Sequence, residues 1–131
     1  MADATTTTAA RRAHPVHSAL VGLASLGVLL QGLSAGLFLR GSDDAGTWVD
    51  VHQHGAEGTV LLAFLATVAA VVWLRHRLPV VVGTTLLFVL SLAEMLLGMA
   101  IEDSRGVVAV HVPLAMLLMG LAVWLPTQAR R

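Results

Sequence analysis

The chain has 131 residues, 56% hydrophobic and 12% charged, with no cysteine and a formal net charge of zero. Soluble domains run at roughly 45–50% apolar and about 25% charged, so this is the balance of an integral membrane protein, of a length for one compact domain. The lack of cysteine excludes disulfides, thiolate metal sites and cysteine nucleophiles, and neutrality leaves no overall field to recruit nucleic acid.

Residues 1–16 open with MADATTTTAARR, a low-complexity stretch that reads as a disordered tail. A first apolar run covers 17–39. It is too long for the apolar part of a signal peptide, and no small-residue cleavage site follows it, so it reads as part of the mature protein. The loop GSDDAGTWVDVHQ leads to a second run at 56–74. A tight RHRLP turn places Pro79 at the start of a third run, 79–101. The short link EDSRG leads to the fourth, 107–126, and residues 127–131 form a C-terminal tail.

Each run is continuous rather than striped, and each is close to the ~20 residues that cross a bilayer core as a helix. Backbone polar groups in lipid must pair within their own segment, which favours helices. The prediction is an all-α fold, a four-transmembrane-helix antiparallel up-down-up-down bundle over 17–126. Arg11, Arg12, Arg75, Arg77, Arg130 and Arg131 fall on one side of it. Arg40 and Arg105 fall on the other, beside Asp43, Asp44, Asp50, Glu102 and Asp103. The positive-inside rule then predicts a multi-pass protein of the cell membrane with both termini cytoplasmic. Trp48 at one boundary, and Trp73 and Trp124 at the other, suit an interfacial belt.

The two halves repeat weakly. His54 and His111 lie early in the second helix of their respective halves; aligning VDVH with VAVH selects His52 instead. Helices two and four run parallel in such a bundle, so these histidines share a depth. Gln31 lies about 12 Å, and Glu94 about 10 Å, from the outer ends of helices one and three at 1.5 Å per residue. Glu57, three residues after His54, can share its face. Each helix thus brings a polar group to the outer half.

Small residues follow one turn below the histidines: Gly58 after His54 and Ala115 after His111. They leave room for a flat macrocycle. Imidazole is a good axial ligand for iron, and bundle cores commonly house such groups. Arg40 and Arg105, near the outer surface, can meet porphyrin carboxylates. The expectation is heme b between helices two and four, held by His54 and His111 with His52 as the alternative ligand. It would serve electron transfer, heme handling or redox sensing.

The segments HGAEGTVLLAFLATVAAVVWLR and VVAVHVPLAMLLMGLAVWL resemble the ligand-bearing helices of four-helix membrane cytochromes b, and most nearly one half of heme A synthase. The resemblance covers roughly residues 17–126. It implies heme ligation by histidines of helices two and four near the outer face. That family has eight helices, outer-loop cysteines, and often arginine after its histidines; here Gly55 and Val112 follow, and there is no cysteine. Heme A synthesis therefore does not carry over, and no complete catalytic constellation is present.

Two other readings stand beside this one. An acidic residue in mid-membrane costs about 2.5–3.5 kcal/mol on insertion scales. Glu94 is then either protonated and hydrogen-bonded, to Gln31 or a backbone group, or functional as a proton acceptor or partner to a ligand histidine's N–H. The second reading is therefore a non-heme transporter or accessory subunit with a proton-linked Glu94. The third is a zinc or copper site made of His52, His54, Glu57 and His111. His14, His17 and His76 read as inner-interface residues, and Gly32 with Gly36 as a helix-packing pair. The expected surroundings are the lipid bilayer, a redox partner protein and a homo-oligomer.

Overall fold

A computed structural model describes residues 14–101 and 104–129; most of the predicted N-terminal tail, at 1–13, and the last two residues of the C-terminal one lie outside the described residues. The chain forms α1 (Pro15–Leu39), α2 (Ala45–Trp73), α3 (Leu78–Ala100) and, after a 3₁₀ turn at Arg105–Val107, α4 (Val108–Ala129). Among the described residues there is no strand. Pro15 and Pro79 stand in the first turns of α1 and α3, where a missing N–H breaks no helical bond. Consecutive helices pack side by side, and α4 closes against α1, which makes the predicted up-down-up-down bundle.

The largest departure from the sequence reading is the start of α2. Hydropathy places it near residue 56, but the helix begins at Ala45, eleven residues earlier. Hydropathy marks where lipid begins, and a helix can start in water before that point. Gly41, at φ +72°, turns the chain after α1 in the left-handed region that suits glycine. Asp44 then precedes the first turn, its carboxylate receiving the Trp48 indole N–H at 2.8 Å and the Ser42 hydroxyl. These two hydrogen bonds, Ser42 first, hold its pKa down at about 2. Residues 45–55 are thus the solvent-side turns of a long helix, and the histidines lie in its second and third turns.

Small residues set the core. Val21, Ala24 and Val28 of α1 meet Ala63 and Ala66 of α2, with Leu87 of α3 and Leu118 and Leu125 of α4 closing the centre. Alanines let helix backbones approach closely in lipid, where packing rather than hydrophobicity drives association. At Gly27 of α1 an added Cβ would run into the Thr59 hydroxyl and lie 3.3 Å from that residue's Cβ. At Gly55 of α2 it would run into the Gln31 amide. The expected packing pair, Gly32 and Gly36, has nothing within 4 Å of either added Cβ. Both are exposed on the outside of the bundle, because the side of α1 that meets α2 passes through Gly27, Gln31 and Ser34. Large apolar side chains such as Leu33, Leu61, Met116 and Leu117 point outward. All four helices are long and apolar enough to cross a membrane.

Buried hydroxyls are satisfied locally. Thr59, Thr84 and Ser91 donate to carbonyls one turn back in their own helices, at 2.7 Å each. Thr67 donates to Ala63 O at 2.9 Å and also reaches Thr84 O of α3 at 3.1 Å. Pro126, inside α4, has no N–H to offer the Ala122 carbonyl four residues earlier. Ser25 of α1 donates its hydroxyl to that oxygen at 2.8 Å.

Candidate functional site

In the half of the bundle near the α1–α2 and α3–α4 links, polar side chains form two contacts, Gln31 and Ser34 of α1 with His52 of α2, and Glu94 of α3 with His111 of α4. On α1, Gln31 and Ser34 lie one turn apart and face α2. The Gln31 main-chain carbonyl accepts the Ser34 hydroxyl at 3.0 Å and His52 Nδ1 at 3.1 Å, and Ser34 Oγ is also 3.0 Å from that nitrogen. A carbonyl only accepts, so the His52 proton sits on Nδ1 and Nε2 keeps its lone pair. The edge-on Phe38 ring, 5.4 Å away between centroids, helps hold the imidazole.

The second imidazole comes from α4. His111 Nδ1 lies 2.8 Å from Glu94 Oε2 of α3. The N–H direction is off the line to that oxygen, so Nδ1 counts as lacking an aligned hydrogen bond. The contact is a close approach of two largely buried ionisable groups. Gly98, one turn beyond Glu94, gives the ring its space: an added Cβ there would touch His111 Cε1 at 3.5 Å. Glu94 is 8% exposed. Its Oε1 and the Gln31 Oε1 are both buried without a hydrogen-bond partner.

Of the predicted set, the structure pairs Glu94 with His111 and sets the Gln31 carbonyl against His52 of α2. His54 is exposed, and its Nδ1 donates to Asp50 O of its own helix at 2.8 Å. Two residues apart on a helix means about 200° of rotation, so His52 and His54 cannot both face inward. Glu57 turns outward with His54 and rims a shallow groove of about 330 Å³ on the outside of α2 and α3, together with Val60, Leu61, Phe64, Phe88 and Met95. Gly58 is exposed and Ala115 half-buried. Arg40 is engaged in its own turn, donating to Ser42 at 3.0 Å and pairing with Asp44 at 3.4 Å. Arg105 is exposed in the 3₁₀ turn. Among the described residues, no three histidine, aspartate or glutamate side chains converge as a metal site. His52, His54, Glu57 and His111 are therefore not gathered into one.

Ser34, three residues after Gln31 on the same face of α1, supplies the hydroxyl that meets His52.

Fold and site together define a class: a multi-pass membrane four-helix bundle with a polar layer of two inward imidazoles, a glutamate and a glutamine. The chain matches no family model, and neither a curated protein nor a solved structure is significantly similar to it.

Proposed function

We propose that this protein holds a heme b through His52 and His111 and serves one-electron transfer, heme handling or redox sensing. The observation that carries the reading is the state of the two inward imidazoles. Each sets Nδ1 against an oxygen: His52 donates to the Gln31 carbonyl, and His111 Nδ1 lies 2.8 Å from the Glu94 carboxyl group. Among the described residues neither Nε2 has a hydrogen-bond partner. Metal-ligating histidines typically give the far N–H to a carbonyl or carboxylate, which fixes the tautomer and raises ligand basicity.

The fit is that of the ligand pair and its supporting groups. Of the residues expected around a porphyrin, His54, Gly58 and Arg40 are directed elsewhere, and the ligand on α2 is His52. When bound, the group supplies a reversible one-electron couple between the ferrous and ferric states. The chain's own residues do the rest. Gln31 and Ser34 hold the His52 ring against rotation. Glu94 positions His111. The arginine-rich end carrying both termini is assigned to the cytoplasm, which puts the imidazole layer near the outer face.

The test is a visible spectrum of detergent-purified protein from heme-replete cells, oxidised and then reduced with dithionite. The expected result is a Soret band with a sharp reduced α-band. The bands are lost in His52→Ala and in His111→Ala and kept in His54→Ala. A colourless preparation, or loss with His54→Ala alone, overturns the assignment.

One observation favours a second reading. The Glu94–His111 contact is also a proton-sharing pair, which suits a proton-linked transporter or accessory subunit. That reading expects a colourless protein whose activity fails in Glu94→Gln while His52→Ala remains competent.

A further inference from the structure

The opposite end of the bundle, where α1 begins and α4 ends, has its own unpaired groups. His17 of α1 is 0% exposed. Its Nε2 is 3.1 Å from Thr84 Oγ1. Since that hydroxyl donates to Val80 O at 2.7 Å, Nε2–H is the donor to it. His17 Nδ1 is buried with no partner. One turn earlier, His14 lies flat on Trp73 of α2, with ring centroids 4.1 Å apart and planes 8° from parallel, and its Nδ1 is likewise buried and unpaired. Arg77, just before α3, gives Nη2–H to Gln128 O of α4 at 2.9 Å and leaves Nη1 buried without a partner.

Three nitrogen-bearing side chains at the starts of two helices thus lie at one end of the bundle, each with a buried, unsatisfied nitrogen. Buried polar groups are normally paired, and a guanidinium has only donors to offer. The surroundings hold nothing to neutralise them. Every carboxylate side chain among the described residues (Asp43, Asp44, Asp50, Glu57 and Glu94) lies in the other half of the bundle. The first turns of α1 and α3, which carry no acidic residue, add their positive dipole ends at this same level.

We infer that His14, His17 and Arg77 form a binding site for a phosphate-bearing anion, either the headgroup of an anionic phospholipid in the adjoining leaflet or free phosphate. Arg77 Nη1 supplies a fixed charged donor. His14 and His17 each offer Nδ1, as a donor when the ring takes a proton or as an acceptor toward a protonated phosphate oxygen or a headgroup hydroxyl. Trp73 at the same level holds the His14 ring in place and anchors this end at the membrane interface. The site lies at the other end of the bundle from the imidazole layer and does not depend on it.

The test uses the full chain in mild detergent, with native mass spectrometry and thermal unfolding as readouts. The probes are phosphatidylglycerol, phosphatidylcholine and inorganic phosphate. Retention of phosphatidylglycerol over phosphatidylcholine, with a raised unfolding midpoint, assigns the site to a lipid headgroup. The same stabilisation by inorganic phosphate alone assigns it to the free anion. Arg77→Gln is expected to weaken binding by about tenfold or more, the worth of one charge-assisted hydrogen bond. His14→Phe keeps the stack on Trp73, removes the ring nitrogens and is expected to weaken binding in the same direction. If neither phosphatidylglycerol nor inorganic phosphate binds better than the zwitterionic phosphatidylcholine, interfacial water satisfies these nitrogens and the site does not exist. Unchanged binding in a folded Arg77→Gln or His14→Phe variant overturns it equally.

Discussion

Ser25 of α1 donates its hydroxyl to the main-chain oxygen of Ala122 in α4, the one carbonyl that Pro126 leaves without a helical donor. A sequence irregularity in one helix thereby becomes a bond between two. Ser25→Ala should destabilise the bundle by about 0.6–1.7 kcal/mol, the range for side-chain hydrogen bonds between membrane helices. In a Pro126→Ala background the N–H at position 126 returns to Ala122 O. There Ser25→Ala should cost close to nothing, and equal costs in the two backgrounds would refute the account. Unfolding in mixed micelles measures both.

The Glu94–His111 pair predicts strong non-additivity. Removing one partner leaves the other buried and alone, and breaking a buried pair in this way costs about 3–5 kcal/mol. Glu94→Leu and His111→Leu should each be severe, while the double variant should be milder than their sum by about 1–3 kcal/mol. Simple additivity in a double-mutant unfolding cycle would show that the contact carries no energy.

Glycine substitutions should divide by location. Gly27→Ala pushes a methyl into Thr59 and should cost about 1–3 kcal/mol as overpacking, recovered largely by Thr59→Ala. Gly55→Ala meets only the end of the flexible Gln31 side chain and should cost less. Gly32→Ala and Gly36→Ala face open space and should be neutral or stabilising, since alanine is the better helix former. A thermal-shift series in detergent ranks the four.

The turn before α2 should respond to acid in one direction. Asp44 is held at about 2, below its ordinary value of 3.8, by the Ser42 hydroxyl and then the Trp48 indole. A depressed folded pKa means the stabilisation is complete above the ordinary value and is lost as pH falls from about 4 through about 2. The Trp48 indole N–H resonance, followed by NMR, should move through that window, and Asp44→Asn should abolish the transition. A midpoint near 4 would show that the hydrogen bonds do not form.

The four spans and their alternation were legible in the sequence because lipid imposes them. A helix long and apolar enough to cross is nearly its own evidence, and short links force neighbours to run antiparallel. Gln31, Glu94 and His111 were also legible as a layer, because depth along a helix follows from counting residues. What counting could not supply was rotation about each axis. The sequence reading set His54 ahead of His52, and the start of α2 was hidden because its first turns are polar. Which histidine faces inward was decided by α1, where Ser34 and the Gln31 carbonyl wait for Nδ1 of one and leave the other to its own helix. Composition and periodicity set how deep a group lies in this protein. Only side-chain packing between helices sets which way it points, because that choice depends on residues distant in the chain.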